Sequence, residues 1–348
     1  VNPVYDELQE NPALARWDTM ERNRSLFGDA DVPPEIRFDG VSVKRSRDEE
    51  TGKETVSFAG GPKIKVARPD GSDFTYVTAE GQQKPFGNVS LFTFTSKMSC
   101  PSFSLPAGPT KHGTCPASKP DAIQAEGSYT KFHPPLEKMP AGETFICDVC
   151  YAGKNRYLQY KSMSLGQMAK YRWVLNALRA GTFAAQMTQA LYMLLHPKIE
   201  DLLRANLVSN QFFRIHDSGD FFSTSYYQAW VEVCENFMGK LGGKRKSGPL
   251  IYFWAPTRMW VYEKYRKAFL ADPPPPNLAL RPSALFTGVK PPLIPGFAAG
   301  STSVAGKMPE PTWNCPAYED DAPEASCAGV KCRVCWTLKK RGVNYTTH

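Results

Sequence analysis

The sequence predicts an α/β protein, either an open doubly wound sheet or all or part of a (β/α) barrel, with loop-rich cysteine segments and a small β-rich N-terminal arm. Three observations predict it. Apolar strand-like runs alternate with helical periodicity from residue 211 to 283; eight of the nine cysteines fall in two groups outside those runs; short alternating segments with turn chemistry precede residue 86.

The elements follow in order. In residues 1–86, VSVKRS, ETVSFAG, PKIKVARP and FTYVTA alternate apolar and polar positions, and Asp48–Gly52 and Arg68–Asp73 supply turns between them. This unit reads as antiparallel hairpins without chemistry of their own. Residues 87–310 read as the barrel unit with the first cysteine group, and residues 311–348 as a C-terminal cysteine segment. VSLFTFT, from Val89, is a buried-strand candidate running into Cys100. The Pro- and Gly-rich stretch from there to Thr144 has no periodicity, and loops of that length in a domain are usually functional or wrap around something. Helical spacing predicts helices over Leu158–Leu178 and Phe183–Ala205. Then come strand QFFRIH, helix Tyr226–Met238, strand LIYFWA, helix Met259–Ala271 and strand NLALRPS. This βαβ order implies a parallel sheet covered by helices, with its chemistry where strands end and loops begin.

Composition excludes several classes. Of 348 residues, 42% are apolar and 22% charged, which is ordinary for a globular chain and excludes disordered or collagen-like proteins. The net charge of +8 divides into −4 before residue 87 and +12 after it. A basic C-terminal part favours anionic partners such as nucleotides or nucleic acid. The most apolar helical stretch, Thr182–Leu195, is interrupted by Gln186, Thr188 and Gln189 and ended by Pro197, so no membrane span is expected. An odd cysteine count and a polar start predict a cytoplasmic protein with reduced thiols. The phosphate-loop spacing G-x4-G-K-[ST], H-E-x-x-H and G-x-S-x-G are absent.

The cysteines carry the strongest chemical signal. Cys100, Cys115, Cys147 and Cys150 form one group and Cys315, Cys327, Cys332 and Cys335 the other, each closing with C-x2-C. That spacing aims two thiolates at one soft metal centre, and both zinc and a [4Fe-4S] cluster fit the inventory. Zinc ribbons usually pair two such knuckles, whereas each group here has one knuckle and two isolated cysteines, which favours an iron–sulfur cluster. Cys234, flanked by Val233 and followed by Phe237, reads as a core cysteine. With four thiolates on each of two [4Fe-4S] clusters, about −2 per site, the net charge of +8 falls to about +4.

A third feature is His216-Asp217-Ser218-Gly219-Asp220-Phe221-Phe222, directly after the strand QFFRI. The small Ser-Gly pair lets backbone approach a ligand, and Asp217 and Asp220 offer acceptors to an amine or hydroxyl. Ser223 and Thr224 can cap the following helix, which leaves the carboxylates spare. A lone histidine after a strand is more often structural than catalytic. Lys154 and Arg156 are candidate anion contacts or solvated surface charges. Arg258 and Arg281-Pro-Ser283 lie at predicted strand ends.

FSLPAG with TCP, CDVCYAGKNRY, FRIHDSGDFF, IYFWAPTR and CRVCW followed by Val343-Asn344-Tyr345 resemble the phage and bacterial gene product 88 family, from about Asn88 to the C-terminus. That resemblance implies phage or prophage origin, hence the host cytoplasm, and no particular reaction. The cysteine-rich loop after the first strand and Ser218-Gly219-Asp220 after a later one also resemble radical S-adenosylmethionine enzymes. This resemblance implies a partial barrel of that type and an open-iron [4Fe-4S] cluster for the cofactor. Ser218, Gly219, Asp220 and Tyr151 would contact the cofactor, and the second cysteine group would be an auxiliary cluster. The usual C-x3-C-x2-C is absent, since 31 residues separate Cys115 from Cys147. Cys100 is then a candidate fourth ligand, and four ligands would leave no iron open. The expected function is an iron–sulfur protein acting on an anionic nucleotide or nucleic-acid substrate. The alternative is a non-catalytic phage structural or DNA-associated protein braced by iron–sulfur or zinc sites.

Overall fold

The computed structural model describes residues 36–47, 54–65, 75–77, 81–85, 87–94, 100–108, 113–118, 144–150, 152, 161–195, 211–238, 240–241, 244–245, 249–304, 307–309, 312–316, 332–336 and 342–346. Strands β1 (Ile36–Arg47) and β2 (Glu54–Lys65) pair antiparallel, and β2 continues to β5 (Asn88–Ser90), while β3 (Thr75–Val77) and β4 (Gln83–Pro85) form a separate hairpin. ETVSFAG and the start of PKIKVARP thus merge into one strand. The arm does not stop at residue 86, because its sheet takes in β5 and Ile64 of β2 is fully buried in the main core.

The central sheet has the order β6 (Thr93–Phe94), β7 (Pro101–Phe103), β8 (Phe212–Ile215), β11 (Tyr252–Thr257), β12 (Leu278–Pro282). A small ribbon of β9 (Lys240–Leu241) and β10 (Lys244–Arg245) lies between β8 and β11 in the chain. Strands β7, β8, β11 and β12 are parallel, and their order in space follows their order in sequence, as right-handed crossovers on one face require. Beyond β12, a parallel bridge between Ser283 and Ser301 leads to β13 (Ser301–Val304), which pairs with β15 (Val343–Thr346) and through it with β14 (Trp313–Asn314). Among the described residues the sheets stay open and do not close a ring.

VSLFTFT is not one strand. Val89 pairs into the arm sheet, Leu91 and Phe92 turn into the core, and Thr93–Phe94 restart as β6 against β7. The first parallel strand is therefore Pro101–Phe103, and Cys100 lies before it.

Among the described residues, four helices cover one face: α1 (Lys161–Arg179), α2 (Phe183–Leu194), α3 (Thr224–Glu235) and α4 (Glu263–Ala271). Helix α1 ends where Gly181 adopts φ 66°, with its N–H on Leu178 O at 3.1 Å and the Thr182 N–H on Ala177 O at 2.8 Å. This double closure satisfies carbonyls that the helix end leaves free, and only a residue at ease with positive φ permits it. Helix α3 starts at Ser223, whose Oγ accepts the Tyr226 N–H at 3.1 Å. The run Met259–Ala271 opens as a 3-10 turn over Met259–Val261, and α4 begins only after Tyr262, which is extended.

Alternation along the strands divides the core in two. Phe103, Phe213, Phe253, Leu278 and Leu280 join Trp173, Phe183 and Trp230 of the helices in the larger core. Fully burying each large apolar side chain contributes roughly 1.5–3 kcal/mol. The opposite face presents Phe212, Arg214, Tyr252 and Trp254, which the C-terminal segment covers with Cys335, Trp336 and Val343. Trp254 and Trp336 meet edge to face at 5.4 Å, and Trp336 Nε1 donates to Phe213 O at 3.0 Å.

Candidate functional site

The loops after β7, β8, β11 and β12 are stitched together at the C-terminal end of the parallel strands. Asp217 N–H donates to Phe103 O at 2.9 Å, Leu105 N–H to Ser218 O at 2.9 Å, and Asp220 N–H to Thr114 O at 3.1 Å. Two backbone conformations allow this approach. His216 has φ 65° and Gly219 φ 87°, and a Cβ on Gly219 would run into Thr114 Oγ1 and Leu105 Cβ. The Ser-Gly pair of the sequence does permit close approach, and the backbone that approaches is the β7 loop.

Asp217 and Asp220 are not spare. Arg214 Nη1 donates to Asp217 Oδ1 at 2.8 Å. Asp220 Oδ1 accepts from Thr257 Oγ1 at 2.7 Å and Phe221 N–H at 2.7 Å, and its Oδ2 accepts the Arg258 N–H at 2.8 Å. Burial raises the Asp220 pKa, and these donors work against that rise. Ser218 Oγ donates to Leu105 O at 2.7 Å and accepts from Gln167 Nε2 at 2.8 Å. His216 shares a 3.2 Å hydrogen bond between Nε2 and the Tyr226 hydroxyl, while its buried Nδ1 has no partner among the described residues. Burial, with Arg214 nearby, lowers its pKa to about 3, so it is neutral at physiological pH.

Three cysteines gather at this end. Cys115 precedes a 3-10 turn over Pro116–Ser118, Cys147 lies within another over Ile146–Val149, and Cys150 follows it. The second turn is held by the Ile146 N–H on Leu285 O at 2.9 Å, beyond the end of β12. Arg258 Nη1 lies 3.5 Å from Cys147 Sγ and its Nε donates to Ala284 O at 3.2 Å. Burial pushes the Cys115 thiol well up, and Asp220 pushes it further, as would a thiolate at Cys147 or Cys150. Burial also lifts Cys147 to about 11, against the opposing pull of Arg258. As free thiols both are protonated at neutral pH, so a metal that bound them would displace protons. Burial lowers the Arg258 pKa, but Cys147, Cys150, Asp220 and Cys115 outweigh it and hold the guanidinium above its ordinary value.

A second group lies against the other face of the sheet. Cys315 and Cys335 are buried and Cys332 is half-buried. Cys335 Sγ is 3.3 Å from the Tyr345 hydroxyl. Fully buried Arg281 donates from Nε to Cys335 O at 2.9 Å, from Nη2 to Val334 O at 2.8 Å, and from Nη1 to Ala299 O. Arg281 therefore serves this group and not the strand ends. Burial raises the Cys335 pKa, while Tyr345 and Arg281 lower it. Cys100 is 1% exposed and belongs to the same apolar cluster as Cys335, Trp254, Trp336 and Val343, apart from the first group.

Tyr151, Lys154, Arg156 and Cys327 lie outside the described residues. Cys234 is buried in α3 within the main core. Among the described residues, no three His, Cys, Asp or Glu side chains stand close enough to hold a single metal ion. Sequence reasoning missed Thr257 and Tyr345 as partners of the two groups. The only signal for either was position, Thr257 at a predicted strand end and Tyr345 within the Val343-Asn344-Tyr345 run.

The family model of gene product 88 matches residues 75–342, which is most of the chain. The chain belongs to the gene product 88 family. It is similar to the Gene 88 protein of Mycobacterium phage D29, 29% identical over 154 residues covering 39% of this chain and 55% of that protein. It is also similar to the Gene 88 protein of Mycobacterium phage L5, 30% identical over 154 residues covering 42% of this chain and 55% of that protein. The chain thus spans about half the length of these curated relatives. No solved structure matches it. Among the described residues no helix is long and apolar enough to cross a membrane.

Proposed function

We propose that this chain is an iron–sulfur protein of partial-barrel type, whose first centre is held by Cys115, Cys147 and Cys150 and is the seat of S-adenosylmethionine chemistry. The observation that carries the reading is the gathering of these three thiols, with Arg258 against Cys147, at the C-terminal ends of parallel strands that follow one another in space. Strand ends are where such folds place their chemistry. The donor set fits a cluster better than a lone zinc. Zinc ribbons usually pair two C-x2-C knuckles, whereas Cys147 and Cys150 make one knuckle here and Cys115 comes from a separate loop. A cubane cluster spreads its thiolates over separate iron atoms. A [4Fe-4S] cluster on three thiolates supplies one-electron chemistry and one iron for a further ligand.

The protein's own residues have definite parts in this reading. Arg258 offsets thiolate charge at Cys147, and Asp220 fixes Arg258 by its backbone. Gly219 and Ser218 keep the cysteine-bearing β7 loop against β8. The +12 charge after residue 86 supports an anionic substrate of nucleotide or nucleic-acid type.

A second reading, in which the cysteine sites only brace a phage structural or DNA-associated protein, is favoured by the engagement of Asp217, Ser218 and Asp220 in holding the loops together. Anaerobic reconstitution with iron and sulfide separates the two. The first reading expects a brown protein with about eight irons for two clusters, and 5′-deoxyadenosine after dithionite and S-adenosylmethionine are added. A fully loaded protein that makes no 5′-deoxyadenosine supports bracing clusters, and a colourless protein with zinc overturns the iron–sulfur assignment.

A further inference from the structure

We infer that Cys100 is a thiol of the C-terminal centre, together with Cys315, Cys332 and Cys335, and that the first centre has three thiols and no fourth. This deepens the iron–sulfur reading above and rests on it for the identity of the metal, but the placement of Cys100 stands on strand geometry alone.

Strand direction comes first. Ser102 pairs with Arg214 and Phe103 with Ile215 in parallel register, and the pairing runs on through the Asp217 N–H to Phe103 O and the Leu105 N–H to Ser218 O. Cys115, Cys147 and Cys150 gather beyond this end of the strands. Cys100 precedes the strand at its other end. From Cys100 to Leu105 the extended chain advances about 16 Å at roughly 3.3 Å per residue. No rotamer of Cys100 crosses that length to join Cys147.

Strand parity comes second. Side chains alternate between faces, so Cys100 and Ser102 share the face of Arg214 and Phe212, their neighbours on β8. That face carries the second centre: Arg214 lies over the Trp254 ring at 4.8 Å, and Phe212 meets Trp336 at 5.3 Å. Cys100 is buried in the same cluster as Cys335 and Trp336. Arg281 binds the same segment from β12, donating from Nε to Cys335 O at 2.9 Å and from Nη2 to Val334 O at 2.8 Å. A chain segment before the first parallel strand is thus tied to one more than 200 residues later, on the face opposite the helices.

The experiment has two arms on the full chain. In the first, metal-free wild-type protein is treated with the thiol–thiol cross-linker dibromobimane, digested and mapped by mass spectrometry. A link from Cys100 to Cys315, Cys332 or Cys335 is expected. A link from Cys100 to Cys115, Cys147 or Cys150, or none from Cys100 at all, overturns the placement. This arm needs neither a variant nor a metal, so a protein that binds no iron would defeat the iron–sulfur reading while leaving the placement decided. In the second, iron per chain is measured after reconstitution of Cys147→Ser, Cys335→Ser, Cys100→Ser/Cys335→Ser and Cys100→Ser/Cys147→Ser. The Cys100→Ser/Cys335→Ser protein should hold as much iron as Cys335→Ser, and Cys100→Ser/Cys147→Ser should lose both clusters. If Cys100→Ser/Cys147→Ser retains the iron of Cys147→Ser, Cys100 is not a ligand of the C-terminal centre and the inference fails.

Discussion

The Asp220 carboxylate joins two neighbouring strand ends: its Oδ2 accepts the backbone N–H of Arg258 at 2.8 Å while its Oδ1 accepts the Thr257 hydroxyl at 2.7 Å. Arg258 reaches from this anchor to within 3.5 Å of Cys147 Sγ. A carboxylate on the β8 loop therefore sets where a cation on the β11 loop meets a thiol.

Asp220→Asn keeps the shape and turns one acceptor edge into a donor facing a donor. A hydrogen bond to a charged group contributes about 1.5–3 kcal/mol, so Asp220→Asn should lose about 2–3 kcal/mol in urea unfolding at pH 7. If the urea midpoint does not move, Asp220 is not holding the strand ends.

Gly219→Ala should be more damaging than a surface glycine change. Its φ of 87° is costly for any L side chain, and the new Cβ would sit against Thr114 Oγ1 and 2.8 Å from Leu105 Cβ. Backbone strain and overpacking together predict a loss of about 3 kcal/mol or more. Gly81→Ala, whose φ is 78° with nothing within 4 Å, is the control for strain without the clash. Equal losses from the two substitutions would show that the β7 loop does not press on Gly219.

His216 makes stability depend on pH on the acid side. Its pKa falls from 6.5 unfolded to about 3 folded because of burial and Arg214. Between those values the unfolded chain binds the extra proton, so stability is lost as pH falls from about 6.5 towards 3, by up to about 5 kcal/mol. His216→Asn removes the titration and tolerates positive φ. Denaturant midpoints at pH 7 and 5 should therefore lie closer together in the variant than in the wild type.

Lys170 acts on the alkaline side. It is 3% exposed, with Nζ 5.8 Å from the centre of the Phe103 ring, and burial lowers its pKa from 10.5 to about 8 against the opposing influence of Asp217. Between pH 8 and 10.5 the unfolded chain holds the proton that the folded chain has released, so this residue's contribution to stability rises with pH. Below pH 8 the full cost of a buried charge, about 3 kcal/mol, is present. Lys170→Met should be more stable than the wild type at pH 7, with the difference shrinking by pH 10. A variant less stable at pH 7 would mean that the ammonium is needed where it lies.

The βαβ order from residue 211 to 283 was legible in sequence because each strand there is a short apolar run bounded by turn residues and each helix repeats at three and four. β8, β11 and β12 lie within or close to QFFRIH, LIYFWA and NLALRPS. VSLFTFT looked equally strand-like, yet it divides between two sheets, since apolar composition marks burial without stating which sheet receives the chain. The Asp217 and Asp220 carboxylates looked spare for a related reason: Arg214, Thr257 and the Arg258 N–H satisfy them, and the last two come from another strand.

The sequence by itself determined the family, the alternating strands and helices, and a supply of eight cysteines outside the periodic apolar runs, with two C-x2-C knuckles. These are matters of residue type and short spacing. Only the tertiary structure decided which thiols meet. Cys100 is nearer in sequence to Cys115 than to any other cysteine, but the strand between them carries the chain from one end of the sheet to the other, and alternation turns Cys100 to the face where Cys335 lies. Strand direction and face, set by pairing with residues more than 100 positions away, override proximity along the chain.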